Sequence, residues 1–113
     1  MCVAEDGAQC RSLDEKVIDD WLSRLGMKHV HEPNYPHDEQ FNPNGLKRAD
    51  WKVGDVYVEY FGMMSVDEYA EKASQKKMLA EKRGLKLLAI YPSDMIDMTG
   101  EKLSSMLNAT GPN

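Results

Sequence analysis

The chain has 113 residues, of which 42% are hydrophobic and 29% are charged, values typical of one globular domain with a single core. No apolar run reaches about 18 residues, and the N-terminus lacks the basic and apolar segments of a secretory signal. We therefore expect a cytoplasmic protein with no membrane partner. The net charge of −5 argues against a broad nucleic-acid-binding surface, but basic residues can still cluster locally.

The first eleven residues show no hydrophobic periodicity. We interpret residues 1–11 as an N-terminal extension or linker before a domain that spans residues 12–113. Cys2 and Cys10 are too few for a disulfide framework. With one of the histidines they allow a zinc-site hypothesis, but their spacing matches no common zinc pattern, and free thiols are the simpler interpretation.

The first predicted helix begins at Ser12 and ends at Gly26. Ser12 and Glu15 have the spacing of a capping box, and apolar residues recur at helical intervals after them. This apolar stripe consists of Leu13, Val17, Ile18, Trp21, Leu22 and Leu25. Glu15 has two interpretations: a helix cap, which we favour, or a carboxylate at the edge of the stripe that points into a site.

A short strand is predicted over residues 27–32, followed by a proline-rich loop that extends to Gly45. Lys47 and Arg48 follow this loop, directly before Asp50. They are either solvated charges or contacts for phosphate groups.

Residues 49–62 predict a β-hairpin, because β-branched and aromatic residues flank the turn pair Gly54-Asp55. A two-residue turn places Trp51 opposite Val58 and Asp50 opposite Glu59. Since side chains alternate along a strand, one face is apolar and the other carries both carboxylates.

Asp50 and Glu59 would have their Cβ atoms roughly 4.5–5.5 Å apart. Like charges in this position are destabilising unless a proton or a cation lies between them. A hard cation such as Mg²⁺ accepts oxygen ligands of this kind. The alternative is an exposed hairpin edge whose carboxylates are solvated.

A second helix is predicted over residues 66–83, with Ser65 as its N-cap and Gly84 after its last turn. Tyr69, Ala73, Lys76 and Ala80 share one face, which looks inward. Lys76 either extends outward along its apolar stem or brings its ammonium group to the acidic face of the hairpin.

The remaining chain predicts a buried central strand over residues 85–91 and then two short helices interrupted at Gly100. The predicted order is α-β-β-β-α-β-α. A helix between the third and fourth strands favours a crossover and a mixed sheet.

These elements and motifs resemble the PD-(D/E)XK nuclease superfamily, and especially the small nuclease-like domains attached to some superfamily 1 DNA helicases and to zinc-finger phage or bacterial proteins. The resemblance covers residues 11 to about 92. It depends on five short motifs in order: Ser12 with Glu15, Tyr35-Pro36, Asp50-Trp51, Glu59-Tyr60-Phe61-Gly62, and Tyr69 with Lys76. It implies an α/β, restriction-endonuclease-like core with a mixed four-stranded sheet flanked by helices.

The resemblance also implies a metal-dependent endonuclease that hydrolyses DNA phosphodiester bonds. Asp50, Glu59 and the backbone carbonyl of Tyr60 would bind Mg²⁺ or Mn²⁺. Glu15 would be an outer ligand or a ligand of a second metal. Lys76 would orient water or stabilise charge on the phosphate.

Two positions depart from the family pattern. Ala49 replaces the proline that usually precedes the aspartate, and Phe61 replaces the lysine that usually lies two residues after the glutamate. In several branches of the superfamily this lysine is found on the following helix, where Lys76 is the matching residue. Lys72 and Lys77 match less well, because they lie off the face of Tyr69.

The implied partner is DNA, with Arg11, Lys47 and Arg48 as contacts for flanking phosphates. The net charge of −5 indicates either that a homodimer or a fused DNA-processing protein would supply the affinity for DNA, or that this affinity is modest. The alternative function is a catalytically inactive interaction module that keeps the fold, and a third hypothesis is a zinc-binding adaptor that uses Cys2 and Cys10.

Overall fold

A computed structural model of the chain describes residues 12–110, together with the backbone of residues 2–3 and 9–10. The described part contains six strands: β1 (Cys2–Val3), β2 (Gln9–Cys10), β3 (His29–His31), β4 (Trp51–Val53), β5 (Val56–Tyr60) and β6 (Lys86–Ile90). It contains four helices: α1 (Leu13–Arg24), α2 (Asp67–Arg83), α3 (Pro92–Met95) and α4 (Gly100–Thr110). None of these helices is long and apolar enough to cross a membrane.

Strands β3 to β6 form a mixed sheet in the order β3-β4-β5-β6. The first three strands are antiparallel, and β6 is parallel to β5. Helix α2 connects these two parallel strands, as the sequence predicts for a crossover. The protein therefore has an α/β fold with a mixed four-stranded sheet.

The central hairpin has the predicted register. Trp51 pairs with Val58 and Val53 pairs with Val56, across a turn in which Gly54 has a φ of +60°. Glycine adopts this left-handed conformation without the steric cost that a Cβ atom would add. The register therefore alternates apolar and polar residues between the two faces of the sheet.

Helices α1 and α4 cover the apolar face of the sheet, where Ile18 and Leu103 pack with Trp51, Val58 and Ile90. Helix α2 covers the other face, where Leu79 packs with Tyr57. Strand β5 is consequently buried along its whole length, so the acidic face of the hairpin is not an exposed edge.

Three expectations about the elements are wrong. Strand β6 is an edge strand rather than a central one, because β5 occupies the position between β4 and β6. Leu13, Val17 and Leu25 are 70%, 39% and 37% exposed, so they lie outside the buried stripe of α1. Helix α2 has Val66 rather than Ser65 at its N-cap, and no side chain caps it.

The N-terminal segment contains a feature that its sequence does not predict. Strands β1 and β2 pair antiparallel, with Cys2 opposite Cys10. The side chains of both cysteines lie outside the described residues, and so does Arg11.

Candidate functional site

The hairpin places Asp50 and Glu59 beside the same groove, which has a volume of about 810 Å³. The loop of residues 40–47 lines this groove on one side, and α2 lines it on the other. The Oδ2 atom of Asp50 accepts a hydrogen bond of 2.7 Å from the backbone N–H of Tyr60. Glu59 lies within β5 and is only 2% exposed.

Glu59 is held by two polar groups from outside the hairpin. The hydroxyl of Tyr35 donates a hydrogen bond of 2.8 Å to its Oε2 atom. The Nζ atom of Lys76 lies 2.8 Å from the same oxygen. Both contacts are made to Oε2, so neither of them engages the other oxygen of the carboxylate.

Burial is the main influence on the protonation of Glu59. It raises the pKa of the carboxyl to about 7, against the opposing effect of Lys76, while the negative charge of Asp50 adds to the increase. The hydrogen bond from Tyr35 also favours the ionised form. The carboxyl therefore changes its charge close to neutral pH when no cation is bound.

Lys76 reaches Glu59 because of the helical spacing that the sequence predicts. Ala73 and Ala80 lie on the same face of α2 and are 2% and 4% exposed, so this face packs against the sheet. The side chain of Lys76 is 21% exposed, which leaves its ammonium group at the boundary between the sheet and the groove. The small neighbours allow α2 to approach closely enough for a lysine to contact a buried strand.

Tyr69 organises the end of β5. Its hydroxyl donates a hydrogen bond of 2.9 Å to the carbonyl of Tyr60 and accepts one of 3.2 Å from the N–H of Gly62. The carbonyl that the sequence predicts as a metal ligand is therefore already bonded to Tyr69. A carbonyl oxygen has two lone pairs, so this bond does not exclude a second partner.

Tyr35 and Tyr69 are functional candidates that the residue patterns alone do not assign. Both occur in the family motifs, but only as sequence markers. Tyr35 stacks on Tyr57 with ring centroids 4.8 Å apart, and this stacking fixes the hydroxyl beside Glu59. The one available signal for Tyr69 is its distance of seven residues from Lys76, which places both on one helix face.

Glu15 is separate from the groove that Glu59 lines. Its backbone N–H donates a hydrogen bond of 3.2 Å to the hydroxyl of Ser12, as expected for a helix cap. Its side chain lines a smaller adjoining cavity of about 360 Å³, together with Asp50, Tyr60 and Tyr69. Asp50 and Tyr69 line both cavities and so connect them.

Phe61 is a packing residue. It is 2% exposed, and its ring lies 6.5 Å from that of Tyr69 and 5.9 Å from that of Tyr91. The Nζ atom of Lys77 lies 5.3 Å from the centre of the Phe61 ring. Phe61 also lines the groove together with Asp50 and Glu59, but its ring has no charge to offer them.

The three basic residues predicted to contact phosphate have different positions. Lys47 lines the groove, and its Nζ atom donates a hydrogen bond of 3.1 Å to Gln75. Arg48 is exposed and lines neither cavity. Arg11 lies outside the described residues.

The carboxylate pair fits a sparse magnesium site rather than a complete protein cage. Among residues 12–110, no three or more His, Cys, Asp or Glu side chains are grouped closely enough to hold a metal ion. Mg²⁺ is nevertheless often held by one or two carboxylates, with water and substrate phosphate completing its coordination. Asp50 and Glu59 fit this donor set.

Comparisons with protein-family models, with curated proteins and with solved structures found no match to this chain.

Proposed function

We propose that this chain is a metal-dependent DNA endonuclease with a PD-(D/E)XK-type, restriction-endonuclease-like domain, acting in the cytoplasm. The observation that carries the proposal is the contact of 2.8 Å between Lys76 and Glu59, beside Asp50. Lys76 of α2, Glu59 of β5 and Asp50, which directly precedes β4, thus border one groove.

Asp50 and Glu59 would hold Mg²⁺ or Mn²⁺, with the Tyr60 carbonyl as a further oxygen ligand. The bound cation would polarise the scissile phosphate and lower the pKa of a water molecule. Lys76 would orient the attacking water or stabilise negative charge on the phosphate. Glu15 would act from the adjoining cavity, through water or at a second metal.

Tyr35 and Tyr69 would act as positioning residues. The hydroxyl of Tyr35 favours the ionised form of Glu59, which is the form that binds a cation. Tyr69 fixes the backbone between Tyr60 and Gly62, so the carbonyl of Tyr60 keeps its place beside Asp50. Lys47 would contact a flanking phosphate, and a second copy of the chain or a fused domain would add affinity for DNA.

A second candidate function is a non-catalytic nucleic-acid or protein interaction module. It is favoured by the contacts of Glu59, since Lys76 and Tyr35 already stabilise this carboxylate without a cation. Such a module would keep the ion pair as part of its core and would bind its partner without hydrolysis.

A cleavage assay distinguishes the two functions. Purified protein is incubated with plasmid, linear, single-stranded and branched DNA in Mn²⁺, in Mg²⁺ and in EDTA, beside Asp50→Ala and Lys86→Gln proteins. We expect cleavage that requires the metal, is abolished in Asp50→Ala and is kept in Lys86→Gln. Lys86 is a suitable control because it pairs with Asp55 at the turn end of the sheet. Equal traces in all three proteins indicate a contaminating nuclease, and no cleavage of any substrate favours the interaction module.

A further inference from the structure

Lys47 and Lys72 face the groove from its two walls, one on the loop and one on α2. Within residues 12–110, neither ammonium group lies within 4.0 Å of a carboxylate. Five other lysines of this part have such partners, and Lys28, Lys52 and Lys77, which have none, line neither cavity. In a chain of net charge −5, two lysines without a carboxylate partner beside one groove suggest an anionic ligand.

Lys47 is fixed in place by the loop that carries it. Its backbone N–H donates a hydrogen bond of 3.0 Å to the side chain of Asn42, which is 1% exposed. The amide of Asn42 also donates to the carbonyl of Pro36, at 2.8 Å. Because the loop is bonded internally, the position of Lys47 does not depend on a ligand.

The same loop is attached to the end of α2. The buried carboxylate of Asp38 lies 3.1 Å from Lys82 and 2.9 Å from Arg83. It also accepts hydrogen bonds from the backbone N–H groups of Gln40 and Phe41. These contacts hold the segment that precedes the loop against the C-terminal end of α2, the helix that carries Lys72.

Lys47 is influenced by two other lysines that line the groove, Lys72 and Lys76. Burial lowers the pKa of its ammonium group, and the positive charges of Lys76 and Lys72 lower it further, although Glu59 acts in the opposite direction. Glu68 and Glu71 also line the groove, from exposed positions on α2. An anion beside Lys47 and Lys72 would remove the repulsion between the lysines.

Gln75 completes this group. Its Oε1 atom accepts the hydrogen bond from Lys47. The NH2 group of the same amide is a hydrogen-bond donor, which is the kind of group that binds an anion. A phosphate oxygen accepts hydrogen bonds from ammonium and amide donors alike.

We propose that Lys47, Lys72 and Gln75 form an anion subsite that binds a phosphate of the nucleic-acid strand. This phosphate would be next to the scissile phosphate, which Asp50, Glu59 and Lys76 would bind in the proposed function. The identity of the anion rests on the proposed function, whereas the binding itself requires neither a metal nor cleavage. In this subsite Lys72 binds substrate. The family pattern does not suggest this role, because Lys72 does not match the position of the catalytic lysine.

The test measures binding of a fluorescein-labelled single-stranded oligonucleotide by anisotropy, in EDTA and over a series of salt concentrations. The proteins are the wild type, Lys47→Gln/Lys72→Gln and the control Lys86→Gln. Loss of two phosphate contacts should lower the magnitude of the slope of log K against log salt by about 1.4 and weaken binding on the order of tenfold at 0.1 M salt. The Lys86→Gln protein should bind within about twofold of the wild type. An unlabelled duplex and inorganic phosphate serve as competitors.

A Lys72→Glu variant keeps the test decisive if the double variant folds poorly. Lys72 is exposed, so its replacement does not disturb the core, and the reversed charge should weaken binding more than Lys72→Gln does. Binding and a salt slope equal to those of Lys86→Gln in these variants would overturn the subsite.

The subsite and the proposed function can fail separately. If the lysine variants lose binding in EDTA while the wild type cleaves nothing in Mn²⁺, the subsite stands and the endonuclease proposal falls. If the wild type cleaves and Asp50→Ala does not, but the lysine variants bind normally, the endonuclease stands and the subsite falls.

Discussion

At the scale of single residues, Lys76 differs from its neighbour Lys77 in what it contacts. Lys76 lies 2.8 Å from Glu59, whereas Lys77 lies over the rings of Phe61 and Tyr91. We expect Lys76→Gln to lower the rate of Mn²⁺-dependent cleavage by about 10²-fold, because a fixed positive group near the phosphate would be lost. Lys77→Gln is the matched control and should keep most of the activity. An equal loss in both variants would show that Lys76 has no special role.

The pKa of Glu59 gives a second prediction at this scale. A folded-state pKa of about 7 means that the folded protein binds a proton that the unfolded chain, with a glutamate pKa near 4.3, does not bind in this pH range. The free energy of unfolding should therefore fall as pH rises from about 4.5 to about 7, by up to about 3 kcal/mol from this group.

Urea unfolding in EDTA between pH 5 and pH 8 measures this dependence. The wild type should lose stability as pH rises, and Glu59→Gln should show a flatter profile because it has no carboxyl to titrate. Parallel profiles for the two proteins would contradict the raised pKa of Glu59.

At the scale of elements, the aromatic cluster at the end of β5 connects the sheet to α2. Phe61 contacts Tyr69 of α2 and Tyr91, which follows β6. We expect Phe61→Ala to lower the free energy of unfolding by about 3–5 kcal/mol, because a buried ring is removed. Denaturant unfolding measures this change, and Phe61→Leu should be milder. A loss below about 1 kcal/mol would show that the cluster is not a structural connection.

The sequence predicts the local elements of this fold better than their neighbours in the sheet. A two-residue turn determines the hairpin register by itself, so the pairing of Trp51 with Val58 follows from nearby residues. The edge position of β6 depends on sheet order, which its apolar sequence does not encode. The pattern of β5 suggests an exposed polar face, but Tyr35 and α2 cover that face through contacts distant in sequence.

In the candidate site, too, the features that depend on local patterns can be predicted and those that depend on distant contacts cannot. Asp50, Glu59 and Lys76 can be predicted together, because strand alternation and helical spacing determine where each side chain points. The contacts of Lys47 with Asn42 and Gln75 cannot be predicted from the sequence, because no periodic pattern determines how an irregular loop folds back onto a helix.

At the scale of the whole molecule, one groove between the 40–47 loop and α2 brings together three lysines and four carboxylates, which are those of Asp50, Glu59, Glu68 and Glu71. The negative net charge of the chain does not prevent this, since three lysines line the groove while carboxylates elsewhere pair with other basic groups. In the proposed function, these residues would supply both the ligands for a cation and the positive groups for phosphate.

The central claim is that Asp50 and Glu59 together bind one catalytic cation. Electron paramagnetic resonance of free Mn²⁺ during titration with protein tests it most directly, because it requires neither substrate nor turnover. We predict one bound Mn²⁺ per chain in the wild type and in Lys86→Gln, with loss of this binding in Asp50→Asn. Absence of binding in the wild type, or equal binding in Asp50→Asn, would contradict the claim.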